Sequence, residues 1–239
     1  MVDDYVLRMG DHELVGRDGP YAHATKIQME QQLPNLMLTT HELMTNGERL
    51  AMRFSEHGAA PSRDGAQASW AGISLYRWNG RLLTECVVEQ DYYARREQYT
   101  RGVPDPVDSP AVAPWDVVTL PARPAAEDVV RDWLEASPRA EANIFFDDEW
   151  LPGRQHHELI DQTSIEVLDL FSAGDRVAFW AKQMGTLRDE FSDNAAGTPV
   201  YLHMTGIVTV SDGRVVGGRL VRDRIGLDRR IRGRTVKTA

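Results

Sequence analysis

Two β-hairpins, each placed in the same order after an upstream turn, constrain this chain more than any other feature. The first lies within Ala68 to Tyr93. Ser69 to Trp78 is rich in aromatic and β-branched residues, Asn79-Gly80 tolerates the positive φ of a tight turn, and Arg81 to Val88 runs back. The pattern returns within His203 to Asp228, turning at Asp212-Gly213. Upstream, Asn46-Gly47-Glu48-Arg49 recurs as Ala173-Gly174-Asp175-Arg176. Gly47 and Gly174 are 127 residues apart, Gly80 and Gly213 133 apart. Two landmarks in step predict an internal duplication, each copy with four antiparallel strands.

The segments between the hairpins fit that plan. Asp18-Gly19-Pro20 opens a helix whose Tyr21, Thr25, Met29 and Leu33 share a face, and Leu33-Pro34-Asn35 ends it. Half of the chain's twelve prolines fall between Pro104 and Pro124, so residues 101–123 read as an extended linker, with Trp115 packing it on a surface. Pro124 to Ala136 reads as an amphipathic helix with Glu127 and Asp128 in its first turn. The expected division is 1–100, linker 101–123, and 124–239.

Composition narrows the function classes. A net charge of −9 disfavours nucleic acid and anionic membranes as partners. The one cysteine, Cys86, lies in a strand pattern and reads as a small buried hydrophobe in a reducing compartment. No leader or long apolar run is read, so a cytoplasmic location is expected. Dinucleotide, P-loop, serine-hydrolase and zinc-protease motifs are absent.

Five short motifs in order carry a resemblance. They are Gly16-Arg17-Asp18-Gly19 before the first helix, Leu33-Pro34-Asn35-Leu36 after it, Asn46-Gly47-Glu48-Arg49, the run Trp70 to Arg77, and Gly80-Arg81. Together they resemble the SnoaL-like polyketide cyclases of the nuclear-transport-factor-2-like superfamily. The likeness spans about Asp4 to Gln98 and, more loosely, Ser164 to Asp228. There Asp223-Arg224-Ile225-Gly226-Leu227 is similar to the family's Asp-x-Leu-Gly-Leu ending. The resemblance implies an α+β fold of two cone-shaped, curved antiparallel sheets, each covered by helices and packed as an internal pseudo-dimer; it leaves room for a homodimer. It implies acid/base chemistry without metal or cofactor, an aldol cyclisation or isomerisation of a small apolar oxygenated molecule. The alternative is a non-catalytic small-molecule-binding or assembly protein of the same fold. Two departures stand out. The family's opening helices are missing ahead of Asp4, and the second copy lacks the Gly-Arg-x-Gly helix.

Counting from the turn glycines puts Thr84, Cys86, Val88 and Gln90 on one face of the first copy's last strand. Gly217, Arg219, Val221 and Asp223 occupy the matching face of the second. The resemblance then implies Asp223 as the catalytic acid/base, with Gln90, an amide, in its place in the first copy. Burial in an apolar cone would raise the Asp223 pKa and suit it to proton transfer, so activity is expected in the C-terminal half. Arg219 would bind an anionic oxygen, or else form an ordinary pair with Asp223. His57 at a strand end, Trp70 and Tyr76 on a shared face, Gln90 and His203 complete the expected substrate contacts. Glu85, Glu89 and Asp91 fall on the opposite face and are expected in solvent. His156-His157-Glu158 with Asp161 carries two metal-type ligands without a completing set, so no metal is expected.

Overall fold

The computed structural model describes residues 1–138, 143–155, 157–189, 191 and 195–235. Two mixed sheets and a few helices make an α+β fold. In the first half β1 (Val6–Met9) and β2 (His12–Val15) form a short hairpin. A helical segment follows, α1 (Ala22–Lys26) between π-helical turns Arg17–Tyr21 and Ile27–Gln32. Then come β3 (Met37–Thr45), β4 (Arg49–Ala60), β5 (Ala66–Trp78), β6 (Leu83–Gln90) and α2 (Tyr92–Arg101). The second half has α3 (Pro124–Glu135), β7 (Ile144–Phe146), β8 (Ile160–Ala173), β9 (Arg176–Leu187), β10 (Pro199–Ser211), β11 (Arg214–Arg222) and α4 (Arg224–Thr235).

The sheet orders are β2-β1-β6-β5-β4-β3 and β7-β11-β10-β9-β8. Each is a four-strand antiparallel meander with a short strand, β1 or β7, added parallel to its last strand. The two halves therefore superimpose in strand order. Their hairpin turns do not. Four residues separate the paired Trp78 and Leu83 and four the paired Val210 and Val215, but the glycine is the second of the four in the first turn and the third in the other, where Asp212 and Gly213 both have positive φ; in the first turn the Asn79 side chain accepts two backbone N–H groups. Matching Gly80 to Gly213 therefore sets β6 one residue out of step with β11. The positional partner of Asp223 is thus Asp91, not Gln90. Asp91 N–H donates to Ala71 O as Asp223 N–H donates to His203 O, each at 2.9 Å, and each side chain caps the helix that follows.

The sheets pack face to face as an internal pseudo-dimer. Met44, Ala51, Ile73 and Leu75 of the first meet Phe171, Ala178, Ile207 and Val221 of the second in one core. Thr205 Oγ1 donates to Ile73 O across it at 3.1 Å. This packing buries the face expected in solvent: Glu89 and Asp91 are each 1% exposed. The second half's other face is filled by α3. Ala126, Val130 and Leu134, spaced at four residues, pack on Phe146, Phe179, Met204 and Leu220. Residues 102–123 run along β3, with Ala111 N–H bonded to Thr40 O and Leu120 N–H to Thr45 O. The Trp115 ring is 78% exposed, against the packing expected of it, because backbone bonds hold this strap.

Candidate functional site

A cavity of about 620 Å³ opens where β6 ends. Its walls are the β1–β2 turn, the helical segment around α1, the end of β4 with the turn Pro61–Arg63, the end of β6, α2, and the first turns of α4 from the second half. It is within the size of small-molecule sites.

Gly10 organises its floor. At φ +53° its N–H donates to Glu89 Oε1 at 3.0 Å. A Cβ there would lie 2.8 Å from Asp223 Oδ2. Only a glycine lets the turn come between these two carboxyl groups. Asp223 Oδ1 accepts the Gly226 N–H at 2.8 Å, and a side chain at Gly226 would overlap Asp223, so the α4 start also requires a glycine. Burial pushes the Glu89 carboxyl well up, the charge of Asp223 pushes the same way, and the Gly10 N–H only partly opposes them. Burial also raises Asp223, against the Gly226 N–H and the Arg230 charge. Two like groups, both with raised pKa values, therefore share the site.

A third carboxyl stands on the first sheet's inner face. Burial lifts Glu56 to about 7, opposed by Arg95 and by hydrogen bonds from Gln28, Gln90 and Trp70. Trp70 Nε1 donates to Gln90 Oε1 at 2.8 Å. The Arg95 guanidinium lies 4.9 Å above Trp70 and 4.3 Å above Tyr92. Beside the cavity, Asp11 accepts from Tyr201 Oη at 2.9 Å and from Arg230 at 2.7 Å. His203 Nδ1 is 3.8 Å from Asp11, and burial lowers this histidine to about 4. Trp180 stacks on it at 6.1 Å.

Of the residues singled out from sequence, Asp223 and Gln90 line this cavity, Trp70 holds Gln90, and His203 sits behind Asp11. The structure does not bring the others to it. Arg219 stacks 4.6 Å over Phe145 and reaches Asp108 at 3.5 Å, so it pairs neither with Asp223 nor with an open pocket. Tyr76 is packed with Tyr5 and Cys86, and His57 bonds Thr39 Oγ1 at 2.8 Å. Asp223 itself lies not inside the second cone but on the face turned to the first half, next to Val221 of the shared core. The second cone is closed: Phe179, Leu220 and α3 fill it, and Arg222 spans its end with Asp147 and Glu149. Asp161 is held by Arg188, His156 lies outside the described residues, and no metal-type cluster occurs among the described ones.

Glu56, Glu89, Arg95 and Asp11 were not picked out from sequence. For Glu89 a signal existed. β5 is apolar on both parities, Trp70 and Tyr76 on one and Ile73 and Leu75 on the other, which marks a sheet buried on both faces.

No family model and no curated protein matches the chain. Solved structures do, and the chain is similar to SnoaL-like polyketide cyclases and nuclear-transport-factor-2-like proteins. One described as a SnoaL-like polyketide cyclase from Jannaschia sp. CCS1 is 13% identical, covering 42% of this chain and 73% of that one at a TM-score of 0.37. A nuclear-transport-factor-2-like protein of unknown function from Burkholderia pseudomallei is 15% identical, covering 42% and 79% at 0.36. An LEH-like epoxide hydrolase of M. tuberculosis is 14% identical, covering 43% and 69% at 0.35. Each covers a little under half of this chain. No helix among the described residues is long and apolar enough to cross a membrane.

Proposed function

We propose that this chain catalyses proton transfer at carbon on a small oxygenated molecule bound in the cavity, with no cofactor in the step. The observation that supports it is the Glu89–Asp223 arrangement around Gly10, one carboxyl held as the acid beside one able to act as base. Asp223, as carboxylate, removes a proton from the carbon next to a carbonyl. The C–H pair moves into the C=C bond of the enol, and Glu89 gives its proton to the carbonyl oxygen. Returning the proton at another carbon isomerises the molecule, and attack of the enol carbon on a second carbonyl cyclises it. Either outcome restores both carboxyl groups. Two raised, unequal carboxyl pKa values suit such paired roles.

Deuterium exchange at the activated carbon of aryl 1,3-diketones and aryl keto acids, followed by NMR in D2O, tests this. Asp223→Asn should slow enzyme-dependent exchange by about 10²–10⁴-fold, because an amide cannot take the proton. Bound ligand with no exchange above buffer would instead favour a binding protein.

A further inference from the structure

We infer that the cavity takes a small organic anion, a carboxylate on a planar body, with Arg95 and Arg229 receiving the charge. This rests on the reading of the same cavity as the substrate site. The chain as a whole is acidic, 27 basic against 36 acidic residues. The cavity reverses that balance. Five arginines line it, Arg63, Arg95, Arg96, Arg229 and Arg230, against the carboxyl groups of Asp11, Glu89 and Asp223.

Pairing sharpens the imbalance. Arg96 is matched by Asp228 at 2.6 Å and Arg230 by Asp11 at 2.7 Å. Arg63, Arg95 and Arg229 have no carboxylate in ion-pair range among the described residues, while Asp223 already lies 3.7 Å from Arg230 and burial pushes the Glu89 carboxyl well above its ordinary range. Arg63 and Arg229 are exposed at the rim and Arg95 is half-buried. The nearest acid to Arg95 is Glu56, which is protonated for about half of the molecules near pH 7 and so compensates it incompletely.

Geometry then selects the anion. The Arg95 guanidinium stands within cation–π range of both the Trp70 and the Tyr92 ring, which restricts its position before a ligand arrives. Its planar fork suits a planar carboxylate bonded in two places. The faces of Tyr92 and Tyr99 in the same cavity offer surface to a flat body. A cavity of this sign in an acidic protein draws anions in and repels them elsewhere. A carboxylate held there also places its neighbouring carbon beside the acid/base pair.

The experiment compares phenylpyruvate and cinnamate with their methyl esters by calorimetry at pH 7.5, at low and at high salt. The acids should bind about tenfold or more tightly than the esters, since a charge-assisted contact is at stake, and the preference should shrink with salt. Arg95→Gln and Arg229→Gln should each weaken the acids and leave the esters unchanged. Arg229 is exposed, so its variant remains informative even where Arg95→Gln fails to fold. Equal binding of acids and esters, binding of neither, or a preference that survives in both arginine variants would overturn the inference. Asp223→Asn separates it from the catalytic reading. Full phenylpyruvate exchange in that variant, with the acid preference intact, would remove the proton-transfer role alone. Exchange that depends on Asp223, with no acid preference, would remove the anion inference alone.

Discussion

The corner where the last strand ends is built twice in this molecule, and the two versions do opposite things. In the first half β1 leads into Gly10, φ +53°; in the second β7 leads into Asp147, φ +52°. Gly10 has no side chain, and the Asp223 carboxyl takes the space a Cβ would fill. Asp147 has one, and it bonds both the backbone and the guanidinium of Arg222, at 2.8 and 2.7 Å. The contrast repeats on the inner faces: Glu56 of β4 in the hollow half stands where Gln183 of β9 stands in the filled one. The capping aspartates are crossed over. Asp91, in the hollow half, is taken by Arg224 from the other half, with Asp147 and Asp148 beside it. Asp223, in the filled half, turns to the cavity. α3 and the Arg222–Asp147 pair fill one half, and the helix after Asp223 joins the two.

The largest expected effect comes from exchanging the roles of the two aspartates' charges. Asp223→Asn should cost decades of turnover and little stability, since asparagine caps a helix about as well as aspartate. Asp91→Asn should do the reverse. It leaves Arg224 buried with Asp147 and Asp148 only, and the loss should be about 2–3 kcal/mol in chemical denaturation. Turnover per folded molecule should stay near wild type, because Asp91 does not line the large cavity. If Asp91→Asn removes activity from protein that remains folded, the division between a structural and a reactive corner is wrong.

Much of this plan was legible in the sequence, and the parts that were not share a cause. The turn signals at Gly47, Gly80, Gly174 and Gly213 are local chemistry, so the meanders and their order could be read directly. Pro124 and the four-residue spacing of Ala126, Val130 and Leu134 likewise announced α3. Asp223 could be picked because it closes a motif. The resemblance implied that the sheets pack on one another, but the surroundings of individual side chains at that packing could not be read. Alternation assigns Glu89 and Asp91 to a face but cannot say that another sheet covers that face. The same applies to Arg219, whose partner Asp108 comes from the strap. Counting from turn glycines also assumed that both glycines hold the same place in their turns; they differ by one, so Asp91 and not Gln90 is the partner of Asp223. The site then draws on β1, β6, α2 and α4, which no window of sequence brings together.

Glu56 against Gln183 provides a test of intermediate size. Folding raises the Glu56 carboxyl from its ordinary 4.5 to about 7. The folded protein therefore binds more protons than the unfolded chain between these values, and stability falls as pH rises through that window. The contribution is fully present below about 4.5 and lost above about 7; the difference is of the order of 3 kcal/mol. Glu56→Gln gives the first half the amide that the second already has. Its stability should lose this part of the pH dependence, and at pH 8 it should exceed wild type. Gln183→Glu is the complementary change and should introduce a similar fall. Denaturation series at pH 5 and pH 8 read both, and parallel curves for wild type and Glu56→Gln would remove Glu56 from the account.

The smallest effect should come from the corner residue itself. Gly10→Ala keeps every polar group but adds a Cβ at φ +53°, a conformation that costs an L-residue about 1–2 kcal/mol. That corresponds to a Tm lower by roughly 2–8 °C for a chain of this size. The added methyl would also stand 2.8 Å from Asp223 Oδ2, so the carboxylate must turn away from the Glu89 side. Exchange activity should fall in the folded variant, and the loss should be larger than the stability change alone produces. Asp147 tolerates nearly the same φ with a side chain, because aspartate is among the residues that accept the left-handed region. Gly10→Asp should therefore be less strained in its backbone than Gly10→Ala while placing a third carboxyl between Glu89 and Asp223. If Gly10→Ala exchanges protons at the wild-type rate, the two carboxyl groups do not depend on the space this glycine leaves. The hollow corner would then owe its chemistry to α4 alone.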